Sequence, residues 1–309
     1  MEKTVSLAAE LRSAWIDQAQ RSPYISFGLA GAVLVILALI IASVVSAVSG
    51  GNTINLRHAL LGGTAGFLAT SLGAFLGLSM KTISVRRQDS MLGFAAGMML
   101  AAAAFSLILP GIAAAEDILG NSMAAAATVA IGLGLGVVLM LGLDYFTPHH
   151  HEISGHHGPA FDRISRVWLF VLAITLHNIP EGMAIGVGFA AGDMPVGLSI
   201  ASAIAIQDIP EGLAVALALR TTGLSAMRSA LVAAATGLME PLGALIGIGM
   251  SSAFAVAYPV SMGLAAGAMI FVVSHEVIPE THRNGHQTSA TIGLMVGFGV
   301  MMFLDTALG

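Results

Sequence analysis

Long apolar runs, each closed by a short cluster of glycine, proline, asparagine or charge, cover almost the whole chain. A helix that crosses a bilayer needs about 20 mostly apolar residues. Runs of that kind fall near 26–49, 59–80, 91–114, 122–146, 167–190, 195–219, 227–251, 256–279 and 288–308. The breaks between them carry turn-forming and charged residues, as loops should. The pattern predicts an all-α, polytopic membrane protein, with residues 1–25 as a short, partly amphipathic segment ahead of the first span.

Composition sharpens this reading. Only 9% of the 309 residues are charged and 56% are hydrophobic, whereas a soluble domain carries about 25% charge. Mean hydropathy is +0.89. The 37 glycines suit close backbone approach between membrane helices. With no cysteine, neither disulfides nor thiolate metal sites are available. A net charge of −5 without a basic tract argues against a nucleic-acid partner. The bilayer is the partner that the composition implies.

The basic residues set an expected orientation. With the N-terminus in the cytoplasm, Lys3, Arg12, Arg21, Lys81, Arg86, Arg87, Arg163, Arg166, Arg220, Arg228 and Arg283 lie inside and only Arg57 outside, as the positive-inside rule requires. The C-terminus is then outside. The first apolar run exceeds the 7–15 residues of a signal core, so an uncleaved anchor is favoured over a secretory signal, although Val45-Ser46-Ala47 loosely resembles a cleavage site.

One hexapeptide occurs twice, as His177-Asn178-Ile179-Pro180-Glu181-Gly182 and Gln207-Asp208-Ile209-Pro210-Glu211-Gly212, 30 residues apart (207 − 177). Each copy falls near the middle of its span, and the two spans run in opposite directions. That is the pattern of an inverted repeat around a midplane site. Residues i and i+4 share a helix face, so His177 stacks with Glu181 and Gln207 with Glu211. Asn178 and Asp208 lie about 100° around the helix. Pro180 and Pro210 free the carbonyls four residues earlier and kink the helices. Irregular backbone at membrane depth is tolerated where it lines a cavity or a protein interior.

Charge is the strongest clue. Glu181, Asp208, Glu211 and Glu240 all fall near mid-span, with no Lys or Arg at that level. Each costs about 2.5–3.5 kcal/mol at a helix centre. Protonation or bound cations would relieve the cost, and only cations explain an imidazole beside the acids. Carboxylate with imidazole suits zinc and its first-row neighbours. Two divalent ions would neutralise four carboxylates, and their binding would compete with protons.

The paired HNxPEG and QDxPEG helices resemble the fourth and fifth membrane helices of the ZIP (Zrt-, Irt-like protein) metal transporters, in a bacterial form. The resemblance covers residues 58–309 as an eight-helix core. It extends to Met239-Glu240-Pro241 and to a His-containing loop, 147–166; the span at 26–49 is extra. It implies uptake of Zn²⁺, and of related ions such as Cd²⁺, Fe²⁺ or Mn²⁺, into the cytoplasm of a bacterium across its inner membrane. It also implies an elevator-like movement and a homodimer. Carried over by position, a primary metal site would use His177, Glu181, Gln207 and Glu211, with Met99 either a soft ligand or simply packing. A second would use Asn178, Glu181, Asp208, Glu211 and Glu240, with Glu181 and Glu211 bridging.

Other polar residues suggest an entrance and an exit. Asp305, near the outer end of the last span, either gathers cations or is a solvated helix-end acid. His275, Glu276 and Asp144 lie toward the opposite ends of their spans, and His282 and His286 follow in the next loop. His275, Glu276, Asp144 and His286 could pass metal on, or merely cap and pair, and His282 and His286 could join the His-containing loop. His149, His150, His151, His156 and His157, with Glu152, fill a loop expected to have no firm fold; such tracts bind metal. An intramembrane metalloprotease would need two His a helical turn apart flanking a Glu. His275-Glu276 is followed by Pro279 where the second His should stand, so an enzyme is not expected.

Overall fold

The computed structural model describes residues 19–48, 53–80, 84–146, 149–151, 155–157, 166–221, 224–251 and 256–308, together with Ile16. Backbone groups cannot be hydrated in lipid, so a spanning chain closes its hydrogen bonds within helices. The described helices are α1 (Pro23–Val48), α2 (Thr53–Ser79), α3 (Val85–Leu119), α4 (Ser122–Phe146), α5 (Arg166–Ala190), α6 (Met194–Thr221), α7 (Ala226–Ser251), α8 (Ala257–His282) and α9 (Gln287–Leu308). Seven of these, α2–α4 and α6–α9, are long and apolar enough among the described residues to cross a membrane. The remaining two, α1 and α5, have 26 and 25 residues. The chain is an all-α, multi-pass membrane protein.

Two expected spans are refined and one loop is corrected. The run 91–114 belongs to a longer helix, Val85–Leu119, because its polar first turns continue the same hydrogen-bonded rod. The run 227–251 is interrupted at Gly237 and Leu238, so that Ala226–Thr236 and Met239–Ser251 are separate segments. Pro241 accounts for the break: it lacks an N–H, and a proline fits best in the first turn of a helix. Finally, part of the His-containing loop is ordered as a hairpin. His149–His151 pairs antiparallel with Gly155–His157, in the register His149 to His157 and His150 to His156. Its first strand packs against α5. The side chains of these histidines, and Glu152 altogether, lie outside the described residues.

Helices in lipid gain little from hydrophobic burial against one another, so they associate by close backbone packing at small residues. Four helix pairs do this here. A Cβ on Gly182 of α5 would collide with the backbone of Glu240, and one on Gly243 of α7 would crowd Ile179 and Met183. On the other side, Gly212 of α6 abuts the backbone of Thr70, and Gly73 of α2 abuts Ile209 and Leu213. The α3–α9 contact uses Gly93, Gly97, Gly293 and Gly297; the α4–α8 contact uses Gly132, Gly136, Gly263 and Gly267.

These contacts repeat. Thr70 and Gly73 correspond to Glu240 and Gly243 at an offset of 170 (240 − 70), and Gly93 and Gly97 to Gly263 and Gly267 at the same offset (263 − 93). Ile179 and Gly182 correspond to Ile209 and Gly212 at 30 (212 − 182). Four helices lie between α2 and α7 in the order of the chain, so the two copies run oppositely and the repeat is inverted. Both halves also widen at matching places: α3 has a π-helical stretch at Ala102–Ile108 and α8 one at Val273–Val277. Pro110 and Pro279 follow them; neither has the N–H that an α-helical bond to the residue four back would need, so each sits beside a widened turn.

α1 lies outside this repeat. It packs on α4, where a Cβ on Gly142 would strike Leu29 and Ser22 hydrogen-bonds Tyr145, and it also touches α7.

Candidate metal centre

The two hexapeptides sit inside unbroken helices, with Pro180 interior to α5 and Pro210 interior to α6. α5 is clasped by α7 and α6 by α2 through the glycine contacts above, and α5 packs on α6. The motif glycines, Gly182 and Gly212, therefore draw the neighbouring helices against the turn that bears Glu181 and Glu211.

Glu181, Asp208 and Glu211 are buried together, each offering a carboxylate oxygen within 4.8 Å of the others. Three points that close surround a centre no more than about 2.8 Å from each, against zinc–oxygen bonds of about 2.0–2.2 Å. Small side-chain rotations would bring them onto one ion. Gln207, fully buried, donates from Nε2 to Glu181 Oε1 at 2.6 Å, which links α6 to α5 across the site. Asn178 is buried on the same turn as Glu181. The side chain of His177 lies outside the described residues; its backbone belongs to α5.

Glu240 joins the acids from α7, with none of its surface exposed. Its Oε1 accepts from Thr70 Oγ1 of α2 at 2.6 Å. Its carboxyl group also lies within hydrogen-bonding reach of Asp208. Two ionised carboxylates cannot hydrogen-bond each other, so a shared proton or a bound cation is needed to hold this pair together. Among the described residues, Asp208 Oδ2, Glu240 Oε2 and Gln207 Oε1 are buried without a hydrogen-bond partner. Buried polar atoms are nearly always paired. Three orphaned acceptors in one polar pocket fit a set of ligands for a positive ion.

Two contributors were not singled out in the sequence. Thr70 orients Glu240, and Gly66, one turn earlier on α2, makes room for it: a Cβ there would collide with Glu240 Oε2 and stand 3.2 Å from Asp208 Oδ2. Neither residue type signals a site. Thr70 stands out only through its correspondence to Glu240 in the repeat, which the packing reveals.

Met99 is buried in the apolar core on α3 beside Met98. Asp305 is half-buried, and its Oδ1 accepts from Ser106 Oγ at 2.6 Å and Ser199 Oγ at 3.4 Å. It is therefore held by α3 and α6 and is not a freely solvated helix-end acid. His275 Nε2 and Asp144 Oδ2 are 3.7 Å apart, and the His275 ring stacks on Phe271. Glu276 is next in the same π-helical stretch. His286 is set elsewhere: its Nδ1 lies 2.8 Å from Asp89 Oδ2, while Asn284 donates to Asp89 Oδ1 at 3.1 Å. His282 bonds locally to Thr281 and to the carbonyl of Ile278.

Fold and site together define a helical, multi-pass membrane protein with a cluster of buried carboxylates at the crossing of α2, α5, α6 and α7. The family described as ZIP Zinc transporter matches residues 146–305. Zinc transporter ZIPB of Bordetella bronchiseptica is 67% identical over 309 residues, 100% of both chains. Zinc transporter GufA of Myxococcus xanthus is 43% identical over 250 residues, 81% of this chain and 97% of that one. Zinc transporter ZIP11 of Homo sapiens is 31% identical over 338 positions, 82% of this chain and 97% of its own. The chain belongs to the ZIP family, whose members are transporters, not enzymes.

Proposed function

We propose that this protein carries Zn²⁺ across a bacterial inner membrane into the cytoplasm, through a two-metal site at the motif helices. Glu181 and Glu211 bridge the two positions. His177 and Gln207 complete the first, with Met99 as a soft ligand that admits Cd²⁺ alongside Zn²⁺; Fe²⁺ and Mn²⁺ are further cargo. Asn178, Asp208 and Glu240 complete the second. The observation that carries this reading is the triad of buried carboxylates whose oxygens converge within 4.8 Å. Burying such a cluster is costly unless cations or protons neutralise it. The names of the relatives, all zinc transporters, support zinc as the cargo.

The N-terminus faces the cytoplasm and the C-terminus the outside. Residues 26–49 form an additional span ahead of a transport unit at 58–309. Asp305 gathers cations at the entrance, and Asp144, His275, Glu276 and His286 lead them out. The histidines of loop 147–166 receive or regulate the metal. Transport proceeds by an elevator-like movement of the motif helices in a homodimer.

The test is zinc flux into liposomes loaded with a metal-sensitive dye. Wild-type protein is expected to fill them, whereas Glu211→Ala and His177→Ala are expected to lose at least nine-tenths of the rate (about 1.4 kcal/mol or more of barrier) while still inserting and folding. Unchanged flux in both variants refutes the site assignment.

A further inference from the structure

A groove of about 750 Å³ opens on the flank of the molecule where the start of α3, the start of α9 and the middle of α6 meet. Its rim carries Arg86 and Arg87, with Ser84 beside them; its wall is made of Phe94, Ile292 and Val296, and Pro210 of α6 forms its floor. Arg86 is held in place, since its Nε donates to Ser289 Oγ at 2.6 Å. That bond uses one of the five guanidinium donors. Ser84 precedes the first turn of α3 and makes no side-chain capping bond. The positive end of the helix adds to the charge of the two arginines.

The chemistry of this groove is lopsided. From Arg86 to Phe94 is eight residues of helix, about 12 Å, and over that length the lining changes from cationic to apolar. Two guanidiniums repel a metal ion, so the groove is not a route for the cargo. A soluble anion would use the rim and gain nothing from the wall. A hydrocarbon chain alone would use the wall and leave the arginines unanswered. An amphiphile with an anionic head uses both.

We propose that the groove binds an anionic phospholipid, with its phosphate on Arg86 and Arg87 and one acyl chain along Phe94, Ile292 and Val296 down to Pro210. Basic pockets between membrane helices near one face of the bilayer recognise anionic headgroups. The floor gives the site a consequence. Pro210 adjoins Glu211, so the bound chain touches the helix that carries Gln207, Asp208 and Glu211. The binding itself does not depend on what the protein transports.

Native mass spectrometry of the full-length protein in detergent tests the proposal, with phosphatidylglycerol and phosphatidylcholine of identical chains as probes. Phosphatidylglycerol is expected to be retained preferentially. The double variant Arg86→Gln/Arg87→Gln is expected to lower its retention about tenfold or more, each arginine near an anionic headgroup contributing on the order of 1 kcal/mol. Val296→Trp, which fills the apolar wall and spares the arginines, is expected to expel the same lipid. Equal retention of the two lipids overturns the proposal, as does undiminished phosphatidylglycerol binding in both variants. So does displacement of the lipid by glycerol phosphate at matching concentration, which would make this a site for any phosphate. If Val296→Trp shifts the balance of monomer and dimer and leaves lipid retention alone, the groove is a contact between copies of the chain and the proposal fails.

Discussion

Thr70 and Glu240 occupy equivalent places in the two halves of the molecule, yet one is neutral and the other an acid. Their surroundings match closely. The backbone of Glu240 receives Gly182, and that of Thr70 receives Gly212; three residues on, Gly243 and Gly73 return the contact. Backbone packing has kept the repeat, because a helix crossing this tight accepts only glycine. Side-chain chemistry has left it. The two positions meet at the centre, where the threonine hydroxyl donates to the carboxylate. A second acid at position 70 would have faced Glu240 and Asp208 as another buried negative charge. The hydroxyl supplies a donor and points Glu240 Oε2 toward Asp208.

Three measurements would break or sharpen that comparison. The largest effect is expected from the crossings themselves. Gly182→Val and Gly212→Val each drive a branched side chain into backbone that cannot yield, at a cost of about 1–3 kcal/mol or more. Both are expected to melt markedly earlier than wild type in detergent and by similar amounts; a variant that melts like wild type would show that its crossing is not tight. Next comes Thr70→Val, which keeps the shape of the side chain and removes the donor. Hydrogen bonds to charged groups contribute about 1.5–3 kcal/mol, so zinc affinity measured by calorimetry is expected to fall about tenfold, while Thr70→Ser stays near wild type. Equal affinity for the valine and serine variants would reduce Thr70 to packing. The smallest effect is expected at Gly134 of α4, which has open space where a Cβ would go. Gly134→Ala is expected to be neutral or to stabilise by up to about 1 kcal/mol through lower helix entropy, with the melting temperature as readout.

Much of this architecture is legible in one dimension because lipid is a simple solvent. It demands long apolar helices, and the runs near 59–80, 122–146 and 288–308 agree with α2, α4 and α9 to within a few residues at most ends. Acids at mid-span stand out against such a background, and so Glu181, Asp208, Glu211 and Glu240 could be read directly. The start of α3 escaped because Val85–Ser90 is too polar to look like part of a span. The break in α7 escaped because a hydropathy pattern does not register a turn of two residues.

By itself, then, the order of residues determined the class of fold, the motif helices and the acids they carry, since each is a local matter of composition and spacing. Only the tertiary structure decided which neutral residues serve those acids. Thr70 and Gly66 lie 107 and 111 residues before the first motif (177 − 70 and 177 − 66) and carry no charge. Their relevance comes from a close helix crossing that folds one repeat against the other. It likewise placed His286 on Asp89 and His275 on Asp144. Which acid a histidine meets depends on how helix ends converge in space, a long-range outcome that spacing along the chain does not encode.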